Sequence, residues 1–202
     1  MDHSLDIGEI EACPNLVALF LARADAKGDA PFLWAKENGA WVSVSWAQVA
    51  RQVVLLAQGL VRLGLAPGDR VLLVCENRPE WCVADLAIMA AGGITVPAYT
   101  TNTERDHAHV LENSGARMVV VSGAKLAKPL LPAALRSGVV AHVIAMEPLG
   151  MAQAGAFEAH DWADLIAGDA GAASVVDEDF GVEDERFLSF LPLSHAYEHT
   201  AG

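Results

Sequence analysis

Residues 64–97, GLAPGDRVLLVCENRPEWCVADLAIMAAGGITVP, carry the reading that decides the fold. Pro67-Gly68 breaks what precedes it. Val71–Val74 is then a continuous apolar run, the mark of a strand buried on both faces, and Pro79–Ala91 is helical with proline at its start. Ile94–Val96 is the next apolar run, after the Gly92-Gly93 pair. A strand, a helix and a second buried strand in this rhythm predict a right-handed crossover onto a parallel sheet.

The rhythm continues on the carboxyl side. Glu104–Asn113 reads as a helix, Met118–Val121 as a strand, and Lys125–Arg136 as a helix weakened by Pro129 and Pro132. Val139–Ala145 reads as a further strand. On the amino side, a helix spans 14–26, with Leu16, Leu19, Phe20 and Ala24 at helical spacing up to Gly28. Phe32–Ala35 and Trp41–Val44 flank Asn38-Gly39, a pair that tolerates the positive φ angles of a tight hairpin. Ser45 with Gln48 has the capping-box spacing, and Trp46, Val49, Val53, Leu56, Leu60 and Leu63 share one face of a long helix ending at Gly64. The expected fold class is α/β, an incomplete Rossmann-like parallel sheet with flanking helices, in one partial domain over residues 1–202.

The chain has 202 residues, 13 Lys+Arg against 26 Asp+Glu, a net charge of −13 and 53% apolar residues. That apolar share demands a core and excludes a mainly disordered chain. The acidity argues against a nucleic-acid partner, because phosphate backbones are held by Lys and Arg. Ten of the 26 acids lie between Glu158 and Glu185, a stretch without Lys or Arg, so residues 158–186 are expected to be a solvated acidic connection. Cys13, Cys75 and Cys82 include no C-x-x-C pair, which speaks against a disulfide framework and for a reducing, cytoplasmic setting. The start MDHSLDIGEIEACPN lacks the basic and apolar regions of a secretory leader. Trp81–Tyr99, the longest apolar stretch, carries Asp85 and Gly92-Gly93 and breaks at Pro97, so no transmembrane segment is expected. Peripheral membrane contact and the oligomeric state stay open.

In open parallel sheets, ligands bind beyond the carboxyl ends of the strands, which directs attention to residues 75–78, 97–103 and 122–125. Neither G-x-x-x-x-G-K-[ST] nor G-x-G-x-x-G occurs. Ser122-Gly123-Ala124-Lys125 offers amides and a lysine at a helix start, with plain helix capping as the simpler reading. Tyr99–Thr103 is rich in hydroxyls, for which capping of the helix from Glu104 is again the simpler account. His107 and His109 diverge by about 200° on a helix and read as surface residues rather than a metal pair. His195-Ala-Tyr-Glu198-His199 matches H-x-x-E-H, yet a catalytic zinc takes a third protein ligand, and Pro192 after an apolar lead-in reads as a strand turning into a loop.

Three segments together are more specific. Gly64–Trp81, Ala87–Thr103 (AIMAAGGITVPAYTTNT) and Leu188–Gly202 (LSFLPLSHAYEHTAG) closely resemble the adenylate-forming acyl-CoA synthetases, above all the long-chain fatty acid–CoA ligase branch. The resemblance implies use of ATP and Mg2+ to convert a fatty acid to an acyl-adenylate with loss of pyrophosphate, then transfer to CoA. It implies that Leu191-Pro192-x-x-His195 borders the acyl and adenylate pocket, with His195 as the motif histidine and Tyr197 as the pocket aromatic. His199 falls where some relatives gate the acyl tunnel. The family's phosphate loop, of the form T-S-G-T-T-G-x-P-K-G, belongs between the strand near Val143 and Phe187–Pro192, where this chain carries GDAGAASVVDEDFGVEDE instead. The family's adenine motif, ribose-binding aspartate, hinge and catalytic lysine have no counterpart before Gly202. The expectation is therefore part of a fatty acid–CoA ligase, inactive alone, or a non-catalytic module that binds acyl chains or a partner.

Overall fold

The computed structural model describes residues 13–150 and 156–167. The chain enters through α1 (Leu16–Lys27), whose start is capped by Asn15: the Ala18 N–H donates to Asn15 Oδ1 at 2.7 Å. A hairpin follows, β1 (Pro31–Glu37) and β2 (Ala40–Ser45), joined by Asn38 at φ +50° and Gly39 at φ +86°. Two positive φ angles in a two-residue loop match the twist of the flanking strands, which is why Asn-Gly serves here. Next comes α2 (Trp46–Arg62), with the expected box formed on both sides: Gln48 N–H to Ser45 Oγ at 3.2 Å and Ser45 N–H to Gln48 Oε1 at 2.9 Å.

The α/β part runs β3 (Arg70–Val74), α3 (Pro79–Ala90), β4 (Ile94–Pro97), α4 (Glu104–Ser114), β5 (Met118–Val121), α5 (Ala124–Ser137), β6 (His142–Ala145), β7 (Glu158–Asp161) and α6 (Trp162–Ile166). The five strands form one sheet in the order β4-β3-β5-β6-β7, every pair parallel. Alternate residues of each strand feed two cores. Val71, Leu73, Met118, Val120 and Ile144 face α1, α2, α3 and α6 with Leu56, Leu60, Ile88 and Trp162. Leu72, Val74, Val119, Val121 and Val143 face α4 and α5 with Leu111, Leu126 and Leu130. A sheet covered on both sides needs strands apolar at every position, and Val71–Val74 and Met118–Val121 are buried throughout.

One helix stands as expected, and two other expectations are corrected. The helix expected over Lys125–Arg136 is present as α5 and runs through Pro129 and Pro132 without a break. Its anchors are Leu126, Leu130, Leu131, Ala133 and Ala134, all buried, while Lys125 and Lys128, whose carbonyls lose their helical donors to the two prolines, sit at exposed positions. The strand expected from Val139 starts at His142, because Gly138 at φ +65° ends α5 and Val139 stays exposed. The acidic connection expected over 158–186 begins instead as β7 and α6. The Glu158 N–H donates to the Ala141 carbonyl at 2.9 Å and Trp162 is 5% exposed, so backbone pairing and one buried indole outweigh the local charge. Residues 168–186 of that stretch lie outside the described residues. No helix among the described residues is long and apolar enough to cross a membrane.

Candidate functional site at the switch point of the sheet

After β3 the chain crosses on one face to the edge strand β4, then returns on the other face to β5 at the opposite side of β3. The loops leaving β3 and β5 therefore diverge and leave a crevice, the usual ligand position of this architecture. Here that crevice is a cleft of about 290 Å³ lined by Glu76 and Arg78 after β3, Ser122, Gly123, Ala124 and Lys125 after β5, and Glu147 after β6.

Arg78 dominates its chemistry. Pro79 opens α3 and leaves Arg78 extended as the preceding residue, its side chain free to reach across the cleft. The guanidinium donates from Nε to Glu80 Oε2 at 2.8 Å and from Nη2 to Glu80 Oε1 at 3.0 Å, a bidentate pair. Its Nη1 donates to Glu147 Oε1 at 2.6 Å. Burial opposes ionisation of Glu80, yet the hydrogen bonds from Arg78, a backbone hydrogen bond and the Arg78 charge together outweigh it and hold the carboxyl below its ordinary pKa. The hydrogen bond to Glu80 likewise raises the pKa of Arg78.

The other oxygen of Glu147 lies over Gly123, 2.8 Å from where a Cβ would stand. Gly123 is the N-cap of α5 and offers no side-chain cap, so a carboxylate of the protein itself occupies the neighbourhood of that positive helix end. Ser122–Lys125 thus does start a helix, but the anion beside it is internal. Cys75, at the mouth of β3, has its Sγ 3.5 Å from Met146 Sδ, and burial pushes the thiol up to about 12. It is a packing residue at neutral pH, since only the thiolate is nucleophilic.

The remaining candidates separate. Thr103 caps α4 in a capping box with Asp106, as the simpler reading of Tyr99–Thr103 requires, while Tyr99 is exposed. His107 is no surface residue: it is 1% exposed against the α4 side of the core, and burial pulls its pKa down. His109 points elsewhere, with Asn113 Nδ2 at 2.9 Å from its Nε2. His195, Tyr197 and His199 lie outside the described residues. The sequence reading reached the loop after β3 but did not single out Arg78 or Glu147. Their pairing spans 69 positions, and no local pattern announces it.

The model of the AMP-binding enzyme family matches residues 20–169. Among curated proteins, the chain is 40% identical over 79 residues to the long-chain-fatty-acid–CoA ligase FadD15 of Mycobacterium tuberculosis, 39% of this chain and 13% of that ligase. It is 32% identical over 113 residues to the long-chain-fatty-acid–CoA ligase ACSBG2 of Xenopus laevis, 56% of this chain and 15% of the relative. Among solved structures, a benzoate CoA ligase from Burkholderia xenovorans superposes with a TM-score of 0.63 at 24% identity, covering 79% of this chain and 30% of that one. The N-terminal domain of FACL13 from Mycobacterium tuberculosis does so with a TM-score of 0.58 at 25% identity, covering 75% and 35%. The sheet, its crossovers and the matched span agree, and the chain belongs to the AMP-binding enzyme family.

Proposed function

We propose that this chain is part of an ATP-dependent acid–CoA ligase whose acid is a long-chain fatty acid, and that the 202 residues alone do not form an acyl-adenylate. The observation that carries the ligase reading is the family match over residues 20–169, with long-chain-fatty-acid–CoA ligases among the relatives. In this reading His195, Tyr197 and His199 border the acyl pocket, and ATP, Mg2+ and CoA are the ligands of the complete enzyme. The free thiols of Cys13, Cys75 and Cys82 accord with a cytoplasmic setting.

The described residues do not fit a triphosphate by themselves. Of the charged groups lining the cleft, Glu76 and Glu147 balance Arg78 and Lys125, and Arg78 is already bound to two carboxylates. Phosphoryl and adenylyl chemistry rests on positioned cations and amides, and no surplus of them is present here. The same neutralised cleft favours the second reading, a non-catalytic module that binds acyl chains or a partner.

The test is fatty-acid-dependent release of pyrophosphate by the purified chain with ATP and Mg2+, over short to long acids. We expect none above the enzyme-free blank. Release at any chain length overturns the inactivity, whereas retention of radiolabelled palmitate without release selects the non-catalytic reading.

A further inference from the structure

At the opposite end of the sheet from the cleft, where β6 and β7 begin, His142, Glu158 and His160 converge, the sole group of three such ligand-bearing residues among the described residues. The register explains the meeting. His142 stands beside Glu158 and Ile144 beside His160, so alternation puts all three side chains on the α2 side of two neighbouring parallel strands. His142 Nδ1 lies 3.1 Å from His160 Nε2, and Glu158 Oε2 lies 3.7 Å from the first and 3.9 Å from the second.

We propose that this is a site for a divalent transition cation of the zinc type, held by His142 Nδ1, His160 Nε2 and a Glu158 oxygen, which clips the edge strand β7 to the sheet. Zinc stands roughly 2.1 Å from such atoms, so tetrahedral ligands are about 3.4 Å apart. The three separations bracket that value, and no strand has to move. A plain ion pair would bring the carboxylate against one ring nitrogen. Here it faces both nitrogens at nearly equal distance, 3.7 and 3.9 Å, so three ligand atoms surround one place. The rings are mostly buried, at 19% and 21% side-chain exposure, while Glu158 is 74% exposed and leaves the fourth position to water. Two imidazoles and one carboxylate suit zinc and its neighbours in the transition series, not magnesium or calcium, which take oxygen ligands. Binding requires each ring to carry its hydrogen on the other nitrogen, Nε2 of His142 and Nδ1 of His160. The strand so held leads directly into α6, so the cation would secure the last layer of the described fold.

The test uses the whole 202-residue chain, stripped with EDTA and titrated with zinc chloride, with His195→Ala and His199→Ala introduced together to remove the H-x-x-E-H segment. One equivalent of zinc is expected to bind and to raise the melting temperature. His160→Ala should weaken binding at least tenfold, at or beyond the low end of what losing an outer partner of a ligand costs. Glu158→Gln should weaken it likewise with the zinc-free melting temperature unchanged, and it decides the matter if His160→Ala fails to fold. Absence of zinc uptake by the chain lacking His195 and His199, or uptake unaltered by Glu158→Gln, overturns the site.

Discussion

Arg78 joins three pieces of chain with one side chain: its own loop after β3, the first turn of α3 through Glu80, and the segment after β6 through Glu147. Its removal strands a half-buried carboxylate. Arg78→Ala should cost about 1 kcal/mol at pH 7, between the value of a hydrogen bond to a charged group and that of a solvent-screened pair. The sign of the pH dependence follows from Glu80, whose pKa is lower folded than unfolded. Its contribution is present above the ordinary value of 4.5 and is lost as pH falls through the folded value. Urea midpoints of the two proteins should therefore converge below about pH 4.5, and a gap that stays constant down to pH 3 would refute the role assigned to Glu80. The types Arg and Glu were readable at these positions, but their partnership was not, because it depends on β3 and β6 both flanking β5.

At the scale of elements, boundaries followed local chemistry closely. Ser45 and Gln48 satisfy two backbone donors of α2 reciprocally, three positions apart, with no help from the rest of the fold. Ser45→Ala should lower stability by about 1 kcal/mol, measured by chemical denaturation, and Ser45→Asp should recover most of it. An unchanged midpoint for Ser45→Ala would mean that packing alone starts the helix. Elsewhere a distant surface overrules a local preference. The prolines of α5 cost hydrogen bonds, but its apolar face is buried against β5 and β6. The four residues of β7, Glu-Ala-His-Asp, carry no apolar alternation and are a strand because β6 presents a free edge to them.

For the molecule as a whole, two cores share one sheet, and the first closes only with α6. Trp162, at 5% exposure, belongs to the same buried cluster as Leu56, Leu60 and Ile144, and Leu165 lies against Gly59 of α2. Trp162→Ala should destabilise the chain by about 3 kcal/mol or more, as truncation of a buried tryptophan does. It should also raise binding of an apolar dye as the α2 side of the sheet is uncovered. A loss below about 1 kcal/mol, within the range of ordinary surface changes, would show that α6 is dispensable to the core.

As far as β6 the sequence by itself determined which segments are helix and which are strand, and that the strands lie parallel between helices. Capping pairs, positive-φ turns and unbroken apolar runs act within a few residues and need no partner to be read. It also carried the family, through contiguous segments such as Gly64–Trp81. Only the tertiary structure decided the strand order, the crevice it opens between the loops after β3 and β5, the pairing of Arg78 with Glu147 in its lining, and the meeting of His142 with Glu158 and His160. The reason is the same in each case. Which strand pairs with which, and in what register, is settled by surfaces that come together after the chain has turned back on itself, and a shift of one residue would send every side chain of a strand to the other face.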